Sequence, residues 1–148
     1  MSKHGKSGCP VNLGLELFGD PWTLLIVRDL MFGGKRHFRE FLESEEHISS
    51  NILTDRLRLL ITEGIVTRSG DPAHTQRMLY HLTEKGIALL PILTQISEWS
   101  FKYAPVAEQY HPASVPGQDE AATAEAMMAA LREQHLGSET RAITTGRH

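Results

Sequence analysis

Side chains that can form hydrogen bonds with the edges of DNA bases are concentrated in one short stretch of the chain. Hydroxyl, amide and guanidinium groups occur there at six positions: Ser49, Ser50, Asn51, Thr54, Arg56 and Arg58. Such groups match the donor and acceptor pattern of the major groove, which is wide enough to admit an α-helix. In an isolated helix they would more simply form a solvated polar face, and Arg56, near the buried edge, could instead pair with a carboxylate. The neighbouring elements decide between these interpretations.

The hydrophobic spacing around these residues predicts a helix-turn-helix. Apolar residues recur on one helix face from Leu53 to Ile61. Ser49 is a typical N-cap residue, and Gly64 is a typical residue for a helix end. A short helix over residues 39–44 and a tight turn precede this helix. Two helices joined in this way form the helix pair that places its second member in the major groove.

A β-hairpin is predicted immediately after the second helix of the pair. Strands over residues 65–69 and 77–82 flank a turn-rich loop over residues 70–76. A hairpin in this position is a wing. The predicted fold is therefore mainly α (α+β), a winged helix-turn-helix with a two-stranded wing and flanking dimerisation helices.

Basic and polar residues around the helix pair and the wing are candidates for contacts with DNA phosphates. They are Lys35, Arg36, Arg39, Arg68, His74, Gln76 and Arg77. Phosphate contacts orient a protein on the duplex without reading its sequence. Residues 33–82 contain seven Lys/Arg and seven Asp/Glu, so DNA binding requires the acidic side chains to point away from the duplex. For any single member of this set, solvated surface is an equally good interpretation.

Three further helices are predicted around this unit. The first covers residues 11–19, the second begins after Asp20 and is the most apolar, and the third follows the cap residue Thr83. This last helix runs to about Tyr103 with a bend at Pro91. Its apolar residues cover more than one face, which a small monomer could not bury, so we expect a second copy of the chain to cover them. The predicted dimer interface consists of Leu13, Leu17, Leu93, Ile96, Trp99 and Tyr103.

The composition excludes several classes of protein. The chain has 148 residues, a mass of 16.5 kDa, a formal net charge of −3 and 41% apolar residues. A single cysteine excludes an internal disulfide and a cysteine-rich zinc finger, and the eight histidines have no metal-ligand spacing. No apolar stretch approaches the ~20 residues of a membrane span, and no signal-type run follows the N-terminus. We expect a cytoplasmic protein that is not an enzyme and uses no cofactor or metal.

The composition changes near Ala104, which we interpret as the boundary between two regions. Residues 1–103 form the DNA-binding unit with its dimerisation helices, and residues 104–148 form an extension that begins with a Pro-rich linker. A short amphipathic helix that ends at Gly137 is predicted within the extension, followed by a disordered end over residues 138–148. The apolar residues of this helix are Ala124, Met127, Met128 and Leu131.

The single cysteine lies in a setting that favours its reactive form. Cys9 follows Lys3, His4 and Lys6 in a segment of small residues. Nearby cations favour the thiolate, which is the form that reacts with oxidants and electrophiles. An ordinary thiol or a small core residue is the alternative interpretation.

Five patches of the sequence occur in the order and spacing of one protein family. They are Cys9-Pro10, residues 19–30, residues 38–42, residues 48–60 and residues 79–86. Together they resemble the HxlR family of bacterial winged helix-turn-helix regulators, a branch near MarR, over residues 9–103. The resemblance implies a homodimeric transcription factor, and in some members a cysteine near the N-terminus senses oxidants or electrophiles. The wing departs from the family because His74 and Gln76 stand where relatives are often more basic.

The residues and the resemblance together predict a sequence-specific, DNA-binding transcriptional regulator. We expect a homodimeric repressor that binds a palindromic operator and responds to a small-molecule or redox signal, with Cys9 as the sensing residue. One alternative is a winged-helix protein–protein interaction module without DNA binding, which the balanced charge favours. Another is a small-ligand receptor with a pocket between the dimer helices and the DNA-reading head.

Overall fold

The computed structural model describes residues 5–111 and 120–145. Its elements in chain order are α1 (Pro10–Phe18), α2 (Thr23–Met31), α3 (Phe38–Leu42), α4 (Ser50–Thr62), β1 (Val66–Asp71), β2 (His74–Leu82), α5 (Glu84–Ile87), α6 (Leu90–Tyr103), a 3₁₀ helix (Glu108–Tyr110) and α7 (Glu120–Thr145). The contacts divide the chain into two compact units, with the division between Leu82 and Thr83. The division thus falls at the end of the wing, whereas the composition changes near Ala104.

The helix α2 is the buried helix of the first unit, as its apolar sequence predicts. It begins at Thr23, because the Asp20 carboxylate accepts the backbone N–H groups of Trp22 and Thr23 at 2.9 and 3.0 Å. Asp20 therefore caps the helix from three residues before its start. The buried apolar residues of α2 are Ile26, Val27, Leu30 and Met31.

The predicted helix-turn-helix is formed by α3, a turn and α4. Ser49 is the N-cap of α4, and its hydroxyl oxygen accepts the Ile52 N–H at 3.2 Å. His47, in the turn, has a positive φ of 55°, which is uncommon for a residue with a side chain. After the last turn of α4, Gly64 takes φ +71° and directs the chain into the wing. The buried face of α4 consists of Leu53, Leu57 and Leu60.

The wing is an antiparallel pair of strands, as predicted, but its strands are longer than expected. Val66 lies opposite Leu82, and regular pairing continues to Gly70 opposite Met78. Asp71 then pairs with His74, so residues 75–77 have no counterpart on β1. The predicted loop over residues 70–76 is therefore wrong, since only Pro72 and Ala73 connect the strands. An irregularity of this kind locally disrupts the hydrogen-bond ladder near the tip of the wing.

The single helix predicted after the wing is in fact two helices. Thr83 caps α5 as expected, and its hydroxyl oxygen accepts the Gly86 N–H at 3.2 Å. The helix ends at Ile87, and α6 begins at Leu90 with Pro91 in its first turn. A proline is tolerated there because the first N–H groups of a helix have no partner within the helix. Pro91 thus lies at the start of a new helix rather than at a bend within one.

The helix α7 is much longer than the short amphipathic helix predicted for the extension. It continues past Gly137 to Thr145, so the prediction of disorder is wrong for residues 138–145. Leu131 and His135, one turn apart, are buried, and α7 packs on α5. Arg132 adds an ion pair with Glu84 of α5 at 2.9 Å. Residues 112–119, which belong to the linker predicted at the start of the extension, and the last residues, 146–148, lie outside the described part.

None of the described helices is both long enough and apolar enough to cross a membrane.

The positive φ of His47 yields a prediction about stability. His47 is exposed, so replacing its side chain removes little packing, and the backbone conformation dominates the effect. We expect His47→Val to be less stable than His47→Gly by about 1–2 kcal/mol, because a β-branched residue is strained at positive φ. Urea unfolding of the two variants measures the difference.

The same pair of substitutions at Thr67, an exposed position of β1, serves as the control. There the order should reverse, because valine favours a strand and glycine weakens it. Equal stability of the two His47 variants would contradict the assigned turn conformation.

Candidate nucleic-acid interface

Helix α4 presents most of its predicted base-reading residues to solvent. Ser50, Asn51, Thr54 and Arg58 are all exposed, whereas the leucines of the opposite face are buried. The hydroxyl of Thr54 donates to the Ser50 carbonyl at 2.8 Å, so its oxygen remains able to accept from a ligand. Ser49 is also exposed, but its hydroxyl oxygen accepts a backbone N–H of the first turn. Four of the six predicted residues therefore present their polar groups to solvent, where a base could reach them.

Arg56 faces the start of α2. Its Nε lies 3.6 Å from Oδ2 of Asp20 and 4.0 Å from Oδ2 of Asp55. Burial opposes ionisation of Asp20, but the Thr23 hydroxyl, two backbone N–H groups and the Arg56 charge outweigh burial and lower its pKa. Of the two roles that the sequence left open, the structure thus places Arg56 in the ion pair, where it connects α4 to the cap of α2.

Two of the predicted phosphate contacts are instead engaged within the protein. Lys35 Nζ lies 3.2 Å from the Asp29 carboxylate and donates to the Ser44 hydroxyl at 2.7 Å. Arg36 Nη1 donates to the carbonyl oxygens of Leu30 and Lys35 at 3.0 and 2.7 Å. Burial lowers the pKa of the Arg36 guanidinium. Both cations stabilise the connection between α2 and α3, and their contact with phosphate stays a prediction.

Asp29 is the centre of this connection. Its buried carboxylate accepts hydrogen bonds from Ser44 at 2.5 Å, from Lys35 at 3.2 Å and from the neighbouring Arg28 at 2.9 Å. Arg28 also donates twice to Glu46, at 2.8 and 2.7 Å. These bonds raise the pKa of Arg28 and lower the pKa of Glu46. One charged cluster therefore joins α2, the end of α3 and the turn before α4.

Four arginines differ from these engaged cations. Within the described residues, their side chains form no ion pair and no hydrogen bond with another residue, and these side chains are exposed. All four belong to the helix pair or the wing. They are Arg39 of α3, Arg58 of α4, Arg68 of β1 and Arg77 of β2.

The four unpaired arginines line two clefts that share Phe38 and Tyr80. We call the first the α4 cleft. It has a volume of about 460 Å³ and includes Arg58 and Arg68 but no carboxylate; its lining is Phe38, Thr54, Leu57, Arg58, Ile61, Thr62, Arg68 and Tyr80. We call the second the α3 cleft. It has a volume of about 530 Å³ and is lined by His37, Phe38, Arg39, Glu40, Glu43, Gln76, Arg77, Met78 and Tyr80. The net charge gives no sign of a basic surface, but these four arginines lie along two adjoining clefts.

His37 attaches the tip of the wing to the start of α3. Its Nε2 lies 2.9 Å from Oδ2 of Asp71, the last residue of β1, and its Nδ1 lies 2.7 Å from Oε1 of Glu40. The hydrogen bonds to Asp71 and then to Glu40 raise the pKa of His37 above its ordinary value. The bond to His37 and the Ala73 N–H lower the pKa of Asp71. His37 thus joins Glu40, three residues away, and Asp71, 34 residues away, in one charged bridge.

Sequence reasoning missed this bridge. His37 was grouped with a basic connector, and Asp71 was assigned to a loop. The spacing of His37 and Glu40 is that of a capping box, and Asp71 before Pro72 is typical of a turn. These local signals mark both ends of the bridge, but neither indicates that the two ends meet.

The remaining candidate residues of the first unit are also exposed. His74 and Gln76 lie near the tip of the wing, where Gln76 lines the α3 cleft with Arg77. Cys9 is exposed and is the N-cap of α1. Hydrogen bonds from the backbone N–H groups of Asn12 and Val11 lower the pKa of its thiol. Within the described residues, the cause is therefore the start of α1.

The residues predicted to form the dimer interface differ in exposure. Trp99 and Tyr103 of α6 are 62% and 65% exposed, and their rings lie 5.5 Å apart. Ile96 and, on α1, Leu13 are exposed as well, whereas Leu17 and Leu93 are half-buried. On α1 and α6, the large exposed apolar residues that the prediction did not include are Val11, Leu15 and Phe101.

The described residues contain no group of three or more His, Cys, Asp or Glu side chains that could hold a metal ion.

Comparisons with known proteins identify the family of the chain. Residues 17–108 match the family of HxlR-like helix-turn-helix proteins. YybR of Bacillus subtilis, an uncharacterised HTH-type transcriptional regulator, is 36% identical over 105 residues, which are 71% of this chain and 83% of YybR.

Solved structures agree with the sequence match. The reduced form of the transcriptional regulator YodB from Bacillus subtilis superposes with a TM-score of 0.55 and 31% identity, over 68% of this chain and 98% of YodB. The redox regulator HypR in its oxidised form gives a TM-score of 0.58 and 34% identity, over 66% of this chain and all of HypR.

The family match covers the helix pair, the wing and the helices on either side. The relatives are DNA-binding transcriptional regulators and not enzymes. The winged helix-turn-helix predicted from the sequence is confirmed. The chain therefore belongs to the HxlR-like helix-turn-helix family of transcriptional regulators.

Proposed function

We propose that this regulator binds a palindromic operator as a homodimer and represses transcription, and that modification of Cys9 relieves the repression. The observation that carries the DNA-binding part is the set of four unpaired arginines around α4 and the wing. A cation without a protein partner is available to phosphate or to guanine, and it loses no ion pair when it binds.

The balanced charge of residues 33–82 is compatible with DNA binding because the charges are partly segregated, with Glu40 and Glu43 as the carboxylates of the α3 cleft. Several acidic side chains are already occupied by partners inside the protein: Asp71 and Glu40 by His37, and Glu46 by Arg28. The α4 cleft contains two arginines and no carboxylate. A protein–protein interaction module would have no need for this separation, so we favour DNA as the partner.

The exposed candidate residues of α4 and its flanking elements divide into two kinds of DNA contact. Asn51 and Arg58 carry the amide and guanidinium groups that can form paired hydrogen bonds with adenine and guanine. Arg39, Arg68 and Arg77 are placed on the flanking elements, where contacts with the phosphates set the orientation of the helix. The two sets predict different consequences of substitution.

The first functional prediction separates sequence reading from phosphate binding. Asn51→Ala and Arg58→Ala should each weaken operator binding by about 1–3 kcal/mol and affect a random duplex much less. Arg77→Ala should weaken both duplexes similarly and should reduce the slope of log K against log salt by about 1. Fluorescence anisotropy over a salt series measures these effects, with the operator taken from a footprint on the gene's own upstream region.

Arg132→Ala is the matched control, because Arg132 is a surface arginine of α7 that is paired with Glu84. It should bind both duplexes like the wild type. Wild-type operator affinity in the Asn51/Arg58 double variant would refute α4 as the recognition helix.

The apolar surface of α6 supports a homodimer. Ile92, Ile96, Trp99 and Tyr103 recur at the spacing of one helix face. A shallow apolar groove of about 500 Å³ runs along this face, lined by Pro91, Ile92, Gln95, Ile96 and Trp99. A second copy of the same helix fits such a stripe, because a two-fold axis brings identical surfaces together.

Dimerisation can be tested at Trp99. Trp99→Glu should convert the protein to a monomer and abolish operator binding at the same time, since a charge in an apolar interface is not solvated. Sedimentation velocity at micromolar concentration, with circular dichroism to verify folding, measures the first effect.

Glu98→Gln, at the adjacent exposed position of α6, is the control and should remain dimeric. A wild-type protein that sediments as a monomer would remove both the dimer and the palindromic operator from the proposal.

Cys9 has the properties that a thiol sensor needs. It is exposed, and the N-terminus of α1 lowers its pKa. The chain has no second cysteine, so a stable oxidised form requires a disulfide with Cys9 of the partner subunit or with a small thiol. The relatives HypR and YodB are solved in oxidised and reduced forms respectively, which supports a redox signal here.

Diamide, which oxidises two thiols to one disulfide, provides the test. It should weaken operator binding by the wild-type protein and leave Cys9→Ser unaffected, because serine forms no disulfide. A gel shift with and without diamide, beside a non-reducing gel, measures both outcomes. An equal response of the two proteins would show that the signal enters elsewhere.

A further inference from the structure

Both ring nitrogens of His37 face carboxylate oxygens, and this arrangement has a consequence for protonation. Nδ1 lies 2.7 Å from Glu40 and Nε2 lies 2.9 Å from Asp71. A neutral imidazole has one N–H and one lone pair, so it can donate to only one of the two carboxylates. The second nitrogen would then face a carboxylate with its lone pair. The geometry therefore requires the doubly protonated imidazolium.

The two carboxylates are themselves held as acceptors. Oε1 of Glu40 also accepts the backbone N–H groups of Arg36 and His37 at 3.1 and 2.9 Å, and Oδ1 of Asp71 accepts the Ala73 N–H at 2.9 Å. Burial opposes ionisation of Glu40, but these bonds and the bond to His37 outweigh it, and the pKa of each carboxyl is lowered. Neither carboxyl is therefore suited to supply the missing proton.

Other charged groups surround the bridge from both elements. Arg39 and Glu43 of α3 and Arg77 of β2 line the same cleft as His37. On the wing, His74 is paired with Asp71 in the strand register. Arg36, in the connector, has its guanidinium on two carbonyl oxygens. The three arginines and His74 disfavour the imidazolium and Glu43 favours it, but the two carboxylates in direct contact dominate.

The position of the bridge determines what depends on it. The base of the wing is held by a backbone bond, from the Tyr80 N–H to the Arg36 carbonyl at 2.8 Å, which does not change with pH. Beyond Gly70 the strand ladder becomes irregular, and Arg77 lies in that part of β2. The bridge from His37 to Asp71 is a side-chain connection to that irregular tip.

We infer that His37 is a positioning residue, which as the imidazolium holds the tip of the wing against α3 and so sets Arg77 for DNA. The inference rests on the proposed DNA-binding function. Deprotonation leaves Nε2 or Nδ1 without a proton, the carboxylate on that side repels the ring, and the tip of the wing is released. DNA affinity then decreases as the pH rises.

The pH range follows from the directions of the shifts. The pKa of His37 is raised above the ordinary histidine value of 6.5. The bridge is therefore complete below pH 6.5 and is lost as the pH rises through the higher pKa of the folded state. The pKa values of Asp71 and Glu40 are lowered. The two carboxylates therefore stay ionised, and the bridge stays intact, down to a pH below the ordinary carboxyl pKa range. The bridge is thus intact at mildly acidic pH and released at alkaline pH.

The first measurement is an NMR titration of the histidine ring protons in the free protein. His37→Gln assigns the His37 signal. It should titrate above 6.5 in the wild type, and Asp71→Asn should lower its midpoint, because the neutral amide no longer favours the imidazolium. A His37 midpoint at or below 6.5 in the wild type would overturn the inference without any use of DNA.

The second measurement is operator affinity between pH 6 and pH 9. The wild type should lose affinity by roughly tenfold, the loss expected for one charge-assisted hydrogen bond. His37→Gln should bind weakly at pH 6 and show no such decrease. Asp71→Asn should keep its affinity at alkaline pH, because the amide can donate to the lone pair of a neutral His37.

His111→Gln is the matched control, because His111 is an exposed histidine outside the helix pair and the wing, and its substitution should leave the wild-type pH dependence unchanged. The same decrease in His37→Gln as in the wild type would overturn the inference. An absence of operator binding by the wild type at every pH would instead refute the proposed function, so the two failures are distinguishable.

Discussion

The carboxylate of Asp29 is the interaction on which the arrangement of the first unit depends. It is 6% exposed, and it accepts from Lys35, Ser44 and Arg28, which lie on three successive parts of the chain. A buried charge is tolerated only when its partners are in place, and the loss of one partner is strongly destabilising. The cluster therefore sets where α3 and the turn before α4 lie relative to α2. The orientation of α4, and of the wing that follows it, therefore depends on the Asp29 cluster.

The positive surface around α4 results from which charged side chains are paired inside the protein, and not from an excess of basic residues. Cations with structural tasks, such as Lys35, Arg36 and Arg56, point inward or along the connection, and the acids Glu46 and Asp71 are occupied by partners. The arginines that remain are those on the surface of the helix pair and the wing. A protein with a net charge of −3 can in this way offer a polyanion a cationic surface.

The sequence predicts the elements whose signals are local. The cap at Ser49, the spacing of the leucines after it and the turn residue Gly64 define α4 to within a residue. The break after Ile87 was not predicted, because Pro91 is equally compatible with a bend and with a new first turn. The partners of Lys35 and Arg36 were missed, and the carboxylate that pairs with Arg56 was not identified, because side chains that meet only in the folded chain leave no periodicity in the sequence.

Asp20 has two partners at once, because it caps α2 and lies against Arg56 of α4. Serine or asparagine could replace it as a cap with little loss, but either would leave the half-buried Arg56 with only the exposed Asp55 as an ionic partner, at 4.0 Å. Conversely, an apolar residue at position 56 would leave the carboxylate with its capping task alone. The residue types at positions 20 and 56, although far apart in the chain, are therefore expected to depend on each other. Among relatives of this protein, an acid at the first is expected to coexist with a base at the second, and the two should change together.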